Sequence, residues 1–87
     1  MNQIEYITKL IKDKEYFLVS VLNNEGQIID SYDIWFDDDI CLYCFQKLYV
    51  DKGKIEEIGG TITCTKYELE RILSLIRIGT LDVEVVQ

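Results

Sequence analysis

The sequence contains no histidine and no proline, and only five of its 87 residues are glycine. Without histidine, the Ser–His and Cys–His pairs of hydrolytic enzymes are excluded, as are most histidine-ligated metal centres. Gly59 and Gly60 stand alone, whereas a phosphate-binding loop needs a longer glycine pattern. We therefore expect a protein that is not an enzyme and that uses no cofactor.

Long hydrophobic runs are also missing. No apolar stretch approaches the ~18 residues that a membrane-spanning helix needs. The opening residues 1–14 lack the basic start and continuous apolar segment of a signal peptide, so we expect a cytoplasmic protein. A chain of 87 residues that is 48% hydrophobic has the length and composition of one globular domain, covering residues 1–87.

Basic residues are absent from one continuous segment. Residues 15–46 contain seven of the sixteen acidic residues and no Lys or Arg, while the other nine acidic residues are balanced by all nine basic ones. The net charge of −7 therefore arises entirely in this segment. Direct binding to nucleic acid or to an anionic membrane is disfavoured, because phosphate contacts need clustered Lys and Arg. A basic protein surface is the complementary partner.

Hydrophobic periodicity predicts a helix over residues 2–14, capped by Asn2 with Glu5 three residues later. Residues 16–22 and 27–36 predict two strands joined by a turn at 23–26. In the second strand, Tyr32, Ile34 and Phe36 share one face, and Trp35 shares the other with Ser31 and Asp33.

Residues 40–50 fit either a strand or a helix, and their aromatic content favours the strand. Gly59 and Gly60 predict a break, followed by a helix in which Thr65 and Glu68 form a capping box and by a final strand at 81–85. The predicted fold is α+β, in the order αββββ(β)αβ. It has a mixed, mainly antiparallel sheet of four to six strands, with two helices packed on one face. Residues 61–85 fit a parallel crossover.

The three cysteines, Cys41, Cys44 and Cys64, are expected to be small buried residues without bound metal. A zinc site remains an alternative, with one of Asp37 to Asp39 as the fourth ligand. A redox pair at Cys41 and Cys44 is a further alternative that requires the helical interpretation of residues 40–50. On a flat strand, Cys41 and Cys44 point to opposite faces, which disfavours both alternatives.

Five acidic residues are interleaved with aromatic side chains between residues 30 and 39. A solvated acidic surface explains the charge alone, but Trp and Tyr beside unbalanced charge are typical of binding interfaces. We therefore predict a partner-binding site formed by Asp30, Tyr32, Asp33, Trp35, Asp37, Asp38 and Asp39.

The first sixteen residues, MNQIEYITKLIKDKEY, and the overall layout resemble the small acidic anti-CRISPR proteins of bacteriophages, in particular those that block type II Cas9. The resemblance implies a phage-encoded inhibitor in the host cytoplasm that occupies a basic nucleic-acid channel in its target. It transfers no individual functional residue.

Charge and resemblance together predict a non-enzymatic inhibitor that binds a basic nucleic-acid-binding protein, such as a CRISPR effector, through an acidic surface that mimics nucleic acid. Three alternatives remain open from the sequence. They are an immunity protein or antitoxin that neutralises a basic toxin, a small zinc-stabilised binding domain, and a small enzyme with a carboxylate in an enclosed pocket.

Overall fold

The computed structural model describes residues 3–51, 54–75 and 80–86. It contains two helices and five strands, namely α1 (Gln3–Lys12), β1 (Phe17–Leu22), β2 (Ile28–Asp37), β3 (Leu42–Asp51), β4 (Lys54–Cys64), α2 (Lys66–Leu75) and β5 (Thr80–Val85). This order confirms the predicted α+β layout. Within these described ranges, neither helix is long and apolar enough to cross a membrane.

The five strands form one sheet in the order β4-β3-β2-β1-β5, and every neighbouring pair is antiparallel. The strand direction therefore alternates at each of the four steps, so β4 and β5 run parallel to each other at opposite edges. The connection through α2 crosses the whole sheet instead of joining neighbouring strands. Among the described residues the sheet contains no parallel pair, so antiparallel pairing takes the place of the predicted mixture of strand directions.

The first hairpin closes through Asn23. Its Oδ1 accepts hydrogen bonds from the backbone N–H groups of Glu25 (2.9 Å) and Gln27 (3.0 Å), and Gly26 takes a φ of 78°. An Asn side chain that bonds the backbone two residues ahead, followed by a residue with positive φ, is typical turn chemistry. The predicted hairpin is confirmed.

Residues 42–51 form a strand, which confirms the favoured interpretation of that ambiguous segment. β3 pairs with β2 on one side and with β4 on the other, so Phe45 lies between Ile34 and Ile62. Tyr43 and Phe45 belong to the hydrophobic core, while the alternating residues, including Cys44, point to the other side of the sheet.

The predicted break at Gly59 and Gly60 is wrong, because β4 continues through both residues. The pairing steps from Gln46↔Thr61 to Leu48↔Ile58, which leaves one extra residue on β4 and defines a β-bulge. A Cβ atom on Gly59 would lie 2.9 Å from the carbonyl oxygen of Lys47, so only glycine fits the close approach of the two strands.

Both helices pack against the same side of the sheet. The centre of the core is Phe17, Val19 and Ile34, each at most 1% exposed. The helices cover them with five buried side chains: Ile7, Leu10 and Ile11 of α1, and Leu69 and Leu73 of α2. The hydroxyl of Tyr43 donates a hydrogen bond to the backbone carbonyl of Ile11, which links α1 to β3.

The described helix ends have local causes. At the C-terminal end of α1, the N–H of Lys14 donates a hydrogen bond to the carbonyl of Ile11, and the N–H of Glu15 donates one to the carbonyl of Leu10. Lys14 has a φ of 55°, so this end of the helix is a Schellman motif. The capping box of α2 is confirmed by reciprocal bonds between Thr65 and Glu68 (3.0 and 3.2 Å), and these bonds lower the pKa of Glu68. The predicted cap at Asn2 lies outside the described residues.

Candidate functional site: the open face of the sheet

The side of the sheet opposite the two helices is called the open face below. Strand alternation and register place these residues, among others, on it: Tyr16, Leu18, Ser20, Leu22, Ser31, Asp33, Trp35, Asp37, Leu42, Cys44, Gln46, Leu48, Ile58, Thr61, Thr63, Asp82 and Glu84. The described parts of α1 and α2 bury their apolar residues in the core on the other side. The central side chains of the open face, Ser20, Ser31, Cys44 and Leu48, are each at most 5% exposed, so the surrounding side chains are the ones that a partner can contact.

An aromatic pair lies on this face. The rings of Tyr16 and Trp35 stack with their centroids 5.6 Å apart and an interplanar angle of 28°. Tyr16 is 40% exposed and Trp35 is half-buried, so both rings retain surface that a partner could cover. The carbonyl of Tyr16 accepts a backbone hydrogen bond from Val86 at 2.8 Å, which anchors the pair to the chain after β5.

Asp33 adjoins the aromatic pair. The hydroxyl of Tyr16 donates a hydrogen bond to Oδ2 of Asp33 over 3.2 Å. Burial, and secondarily the Asp33 carboxylate, raises the pKa of Tyr16, so the phenol keeps its proton and remains the donor. The bond holds the Asp33 carboxylate in place beside the rings before any partner arrives.

Charge is segregated between the two sides of the sheet. The open face carries four carboxylates, Asp33, Asp37, Asp82 and Glu84, and no basic residue among its described positions. The described basic side chains lie elsewhere, on the helices, at the hairpin end or on the helix side of the sheet: Lys9, Lys12, Lys14, Lys47, Lys54, Lys66 and Arg71. The negative field of the open face is therefore not cancelled locally.

The structure divides the seven predicted site residues between the two sides of the sheet. Asp33, Trp35 and Asp37 lie on the open face, and Asp38 and Asp39 are exposed in the turn that continues it. The other two residues point the opposite way, because successive side chains of a strand alternate.

Asp30 and Tyr32 both make contacts on the helix side. Asp30 lies 3.4 Å from the ammonium group of Lys47, and this carboxylate raises the pKa of Lys47. Tyr32 stacks on Phe45 with centroids 5.0 Å apart and packs against the core. These contacts favour a structural role for both residues.

The turn between β2 and β3 is shaped by its first aspartate. Oδ1 of Asp37 accepts the backbone N–H of Asp39 at 2.9 Å, which forms an Asx turn. Asp38 and Asp39 are exposed, as is Ile40 at 49%. The turn therefore presents carboxylates to solvent while its backbone is held by a side chain.

Several residues of the open face were missed by the sequence prediction. Tyr16 could have been found, because it begins the predicted strand 16–22 and the hairpin pairing places it beside Trp35. Asp82 and Glu84 could not have been found in this way. They join the face only because β5 pairs with β1, and no local pattern in residues 80–85 predicts which strand β5 pairs with.

The cysteines separate into one exposed and two buried residues. Cys44 and Cys64 are each 4% exposed, and burial is the largest cause that raises both thiol pKa values. The expected burial of Cys41 is wrong, because this residue occupies the exposed turn at a φ of 54°. Among the described residues, no group of three or more His, Cys, Asp or Glu side chains is placed to hold a metal ion.

This arrangement predicts the order of thiol reactivity. In the native protein, a thiol reagent should modify Cys41 rapidly, whereas Cys44 and Cys64 should react only on unfolding, because both are buried and protonated. Stopped-flow titration with a chromogenic disulfide should give one fast equivalent per chain, and three in denaturant. Cys41→Ser should remove the fast phase, and its persistence in that variant would contradict the assignment.

No protein-family model matches the chain, and neither a curated protein nor a solved structure is significantly similar to it.

Proposed function

We propose that the protein is a non-enzymatic inhibitor that binds a basic, nucleic-acid-binding protein, such as a CRISPR effector, through the open face. The observation that carries the proposal is the segregation of charge. Four carboxylates share with the aromatic pair a face that has no described basic residue, and the adjoining turn adds two more.

The two kinds of residue would contribute differently to binding. At many interfaces, aromatic rings that become fully covered supply most of the affinity. Tyr16 and Trp35 would have this role. Exposed carboxylates chiefly raise the association rate and reject anionic competitors. The carboxylates of the turn and of β5 would have this second role. Asp33 lies between these groups and is already oriented by Tyr16, so less ordering is needed on binding.

The spacing of the carboxylates favours discrete contacts with individual Lys and Arg side chains. Glu84 and Asp33 flank Leu18 in one row, which separates their backbones by two strand spacings, or about 10 Å. Along the helix axis, duplex DNA carries one phosphate charge per ~1.7 Å with both strands counted, or one per ~3.4 Å on each strand, which is a denser series of charges. The face would therefore replace selected phosphates in a basic groove and would not reproduce a continuous backbone.

The test begins with capture of the partner from lysate of the source cell, and association rates are then measured against ionic strength. We expect rates to fall steeply as salt rises, because the Debye length shrinks from ~10 Å at 0.1 M to ~3 Å at 1 M. A captured basic toxin would assign the protein as an immunity protein instead. A rate that does not change with salt would contradict electrostatic recognition.

Replacing Asp37, Asp38 and Asp39 together by Asn should weaken binding by about 1–2 kcal/mol at low salt, since exposed charge pairs contribute up to ~1 kcal/mol each. Stability should change by less than ~0.5 kcal/mol, because Asn preserves the Asx turn. Titrations and thermal melts measure the two effects. The matched control removes three carboxylates elsewhere, by Asp13→Asn, Asp51→Asn and Glu70→Gln. Equal weakening by both triple variants would show that only net charge matters.

A further inference from the structure

The outer edge of β4 is an unpaired strand edge. β4 has eleven residues and lies at one end of the sheet, so it presents backbone N–H and C=O groups that no described strand pairs. Residues 58–64 contain no charged residue and no proline. Ile58 and Ile62 are 63% and 50% exposed, respectively, so apolar surface accompanies the free backbone groups.

The opposite edge of the sheet differs in both length and charge. β5 has only six residues, and its exposed Asp82 and Glu84 would repel a second copy of the same strand. The pairing of β4 with β3 shifts register at Gly59 and again between residues 55 and 57, whereas the pairing of residues 61–64 is regular. A bulge is one device by which edge strands avoid pairing, but residues 61–64 carry neither a charge nor a proline.

We infer that the protein forms a two-fold symmetric dimer in which residues 60–64 of β4 pair antiparallel with the same residues of a second copy. The net charge of −7 opposes self-association through most surfaces, whereas this edge brings no carboxylate against another. An uncharged strand is complementary to itself, and a second copy is the one partner that always supplies the same edge.

Face alternation restricts the pairing register. Directly paired residues must lie on the same side of the sheet, and Ile62 lies on the helix side while Thr61 and Thr63 lie on the open face. Centring the two-fold axis on Ile62 places this residue beside its counterpart and Thr61 beside Thr63 of the second copy. Pairs of β-branched side chains stabilise such ladders. The two open faces then lie on the same side of one ten-stranded sheet.

The experiment is sedimentation velocity of the full chain over micromolar to millimolar concentrations, because an interface built on one strand pair is small and therefore weak. The mass should rise from the 10.2 kDa of one chain towards twice that value. Added salt should strengthen the dimer by screening the net charge, which is the opposite of its effect on partner binding. The inference does not depend on the proposed function.

Two lysine substitutions form a matched pair. Ile62→Lys should raise the dimer dissociation constant by at least about tenfold, because the axis would place two like charges side by side. Ile40→Lys changes a residue of similar exposure in the β2–β3 turn, outside the proposed pairing, and should leave dimerisation intact. Thermal melts check folding, and Thr63→Lys replaces Ile62→Lys if the latter unfolds. A chain that stays monomeric at every concentration, or equal dimerisation by both variants, would overturn the inference.

Discussion

Phe17→Ala should destabilise the protein more than any surface change. The side chain is fully buried at the centre of the core, between Ile34 of β2 and Val85 of β5. Truncating a buried Phe costs about 3–5 kcal/mol through lost burial and a residual cavity. A domain of 87 residues has a total stability of about 4–13 kcal/mol, so a large share would be lost. Thermal melts should show a midpoint about 12–40 °C lower.

Tyr67→Ala is the control for Phe17→Ala. Tyr67 is also aromatic but is 81% exposed on α2, so its truncation should change stability by less than ~0.5 kcal/mol. Equal destabilisation by the two variants would show that the core is not centred on β1.

Trp35→Ala should weaken partner binding by about 2–4 kcal/mol while leaving a folded domain. Trp35 lies on the open face and is not part of the hydrophobic core cluster, so its removal chiefly breaks the stack with Tyr16. A stacked aromatic pair contributes about 0.5–1.5 kcal/mol to stability in addition to the burial of its apolar surface. The loss of stability should therefore be small compared with that of Phe17→Ala. Calorimetric titration is the suitable measurement, because the variant lacks the only Trp fluorophore.

Two further variants separate recognition from packing. Trp35→Phe keeps an aromatic ring against Tyr16 and should retain part of the affinity. Tyr49→Ala removes a ring that is 50% exposed on the helix side and should leave binding unchanged. If Trp35→Ala instead melts as low as Phe17→Ala and the surviving folded fraction binds normally, Trp35 is a core residue and the proposed site is wrong.

The turn at Asn23, the capping box at Thr65 and the alternation along β2 were all predictable from the sequence. Each depends on residues within about five positions of one another, where backbone geometry and side-chain hydrogen bonds act directly. The same alternation correctly separated Trp35 from Tyr32. The predicted site nevertheless combined residues from both sides of the strand, because it was chosen by charge density along the chain.

The β-bulge at Gly59 shows where a local rule fails. A Gly–Gly pair ordinarily predicts a break, yet here the close approach of Lys47 on the neighbouring strand requires a residue without a side chain. Cys41 and Cys44 show the same limit, since the turn exposes the first and the sheet buries the second. These outcomes depend on a neighbouring strand that the local sequence does not specify.

The order of elements, the hairpin, the helix cap at Thr65 and the side of β2 to which each residue points follow from the local sequence. The pairing of β5 with β1, which adds Asp82 and Glu84 to the open face, and the contact of Lys47 with Asp30 follow from the packing of the whole chain. The difference lies in the range of the interactions. Periodicity and capping act within a few residues, whereas the choice of strand partner depends on burying Leu81, Val83 and Val85 against a core assembled from distant segments.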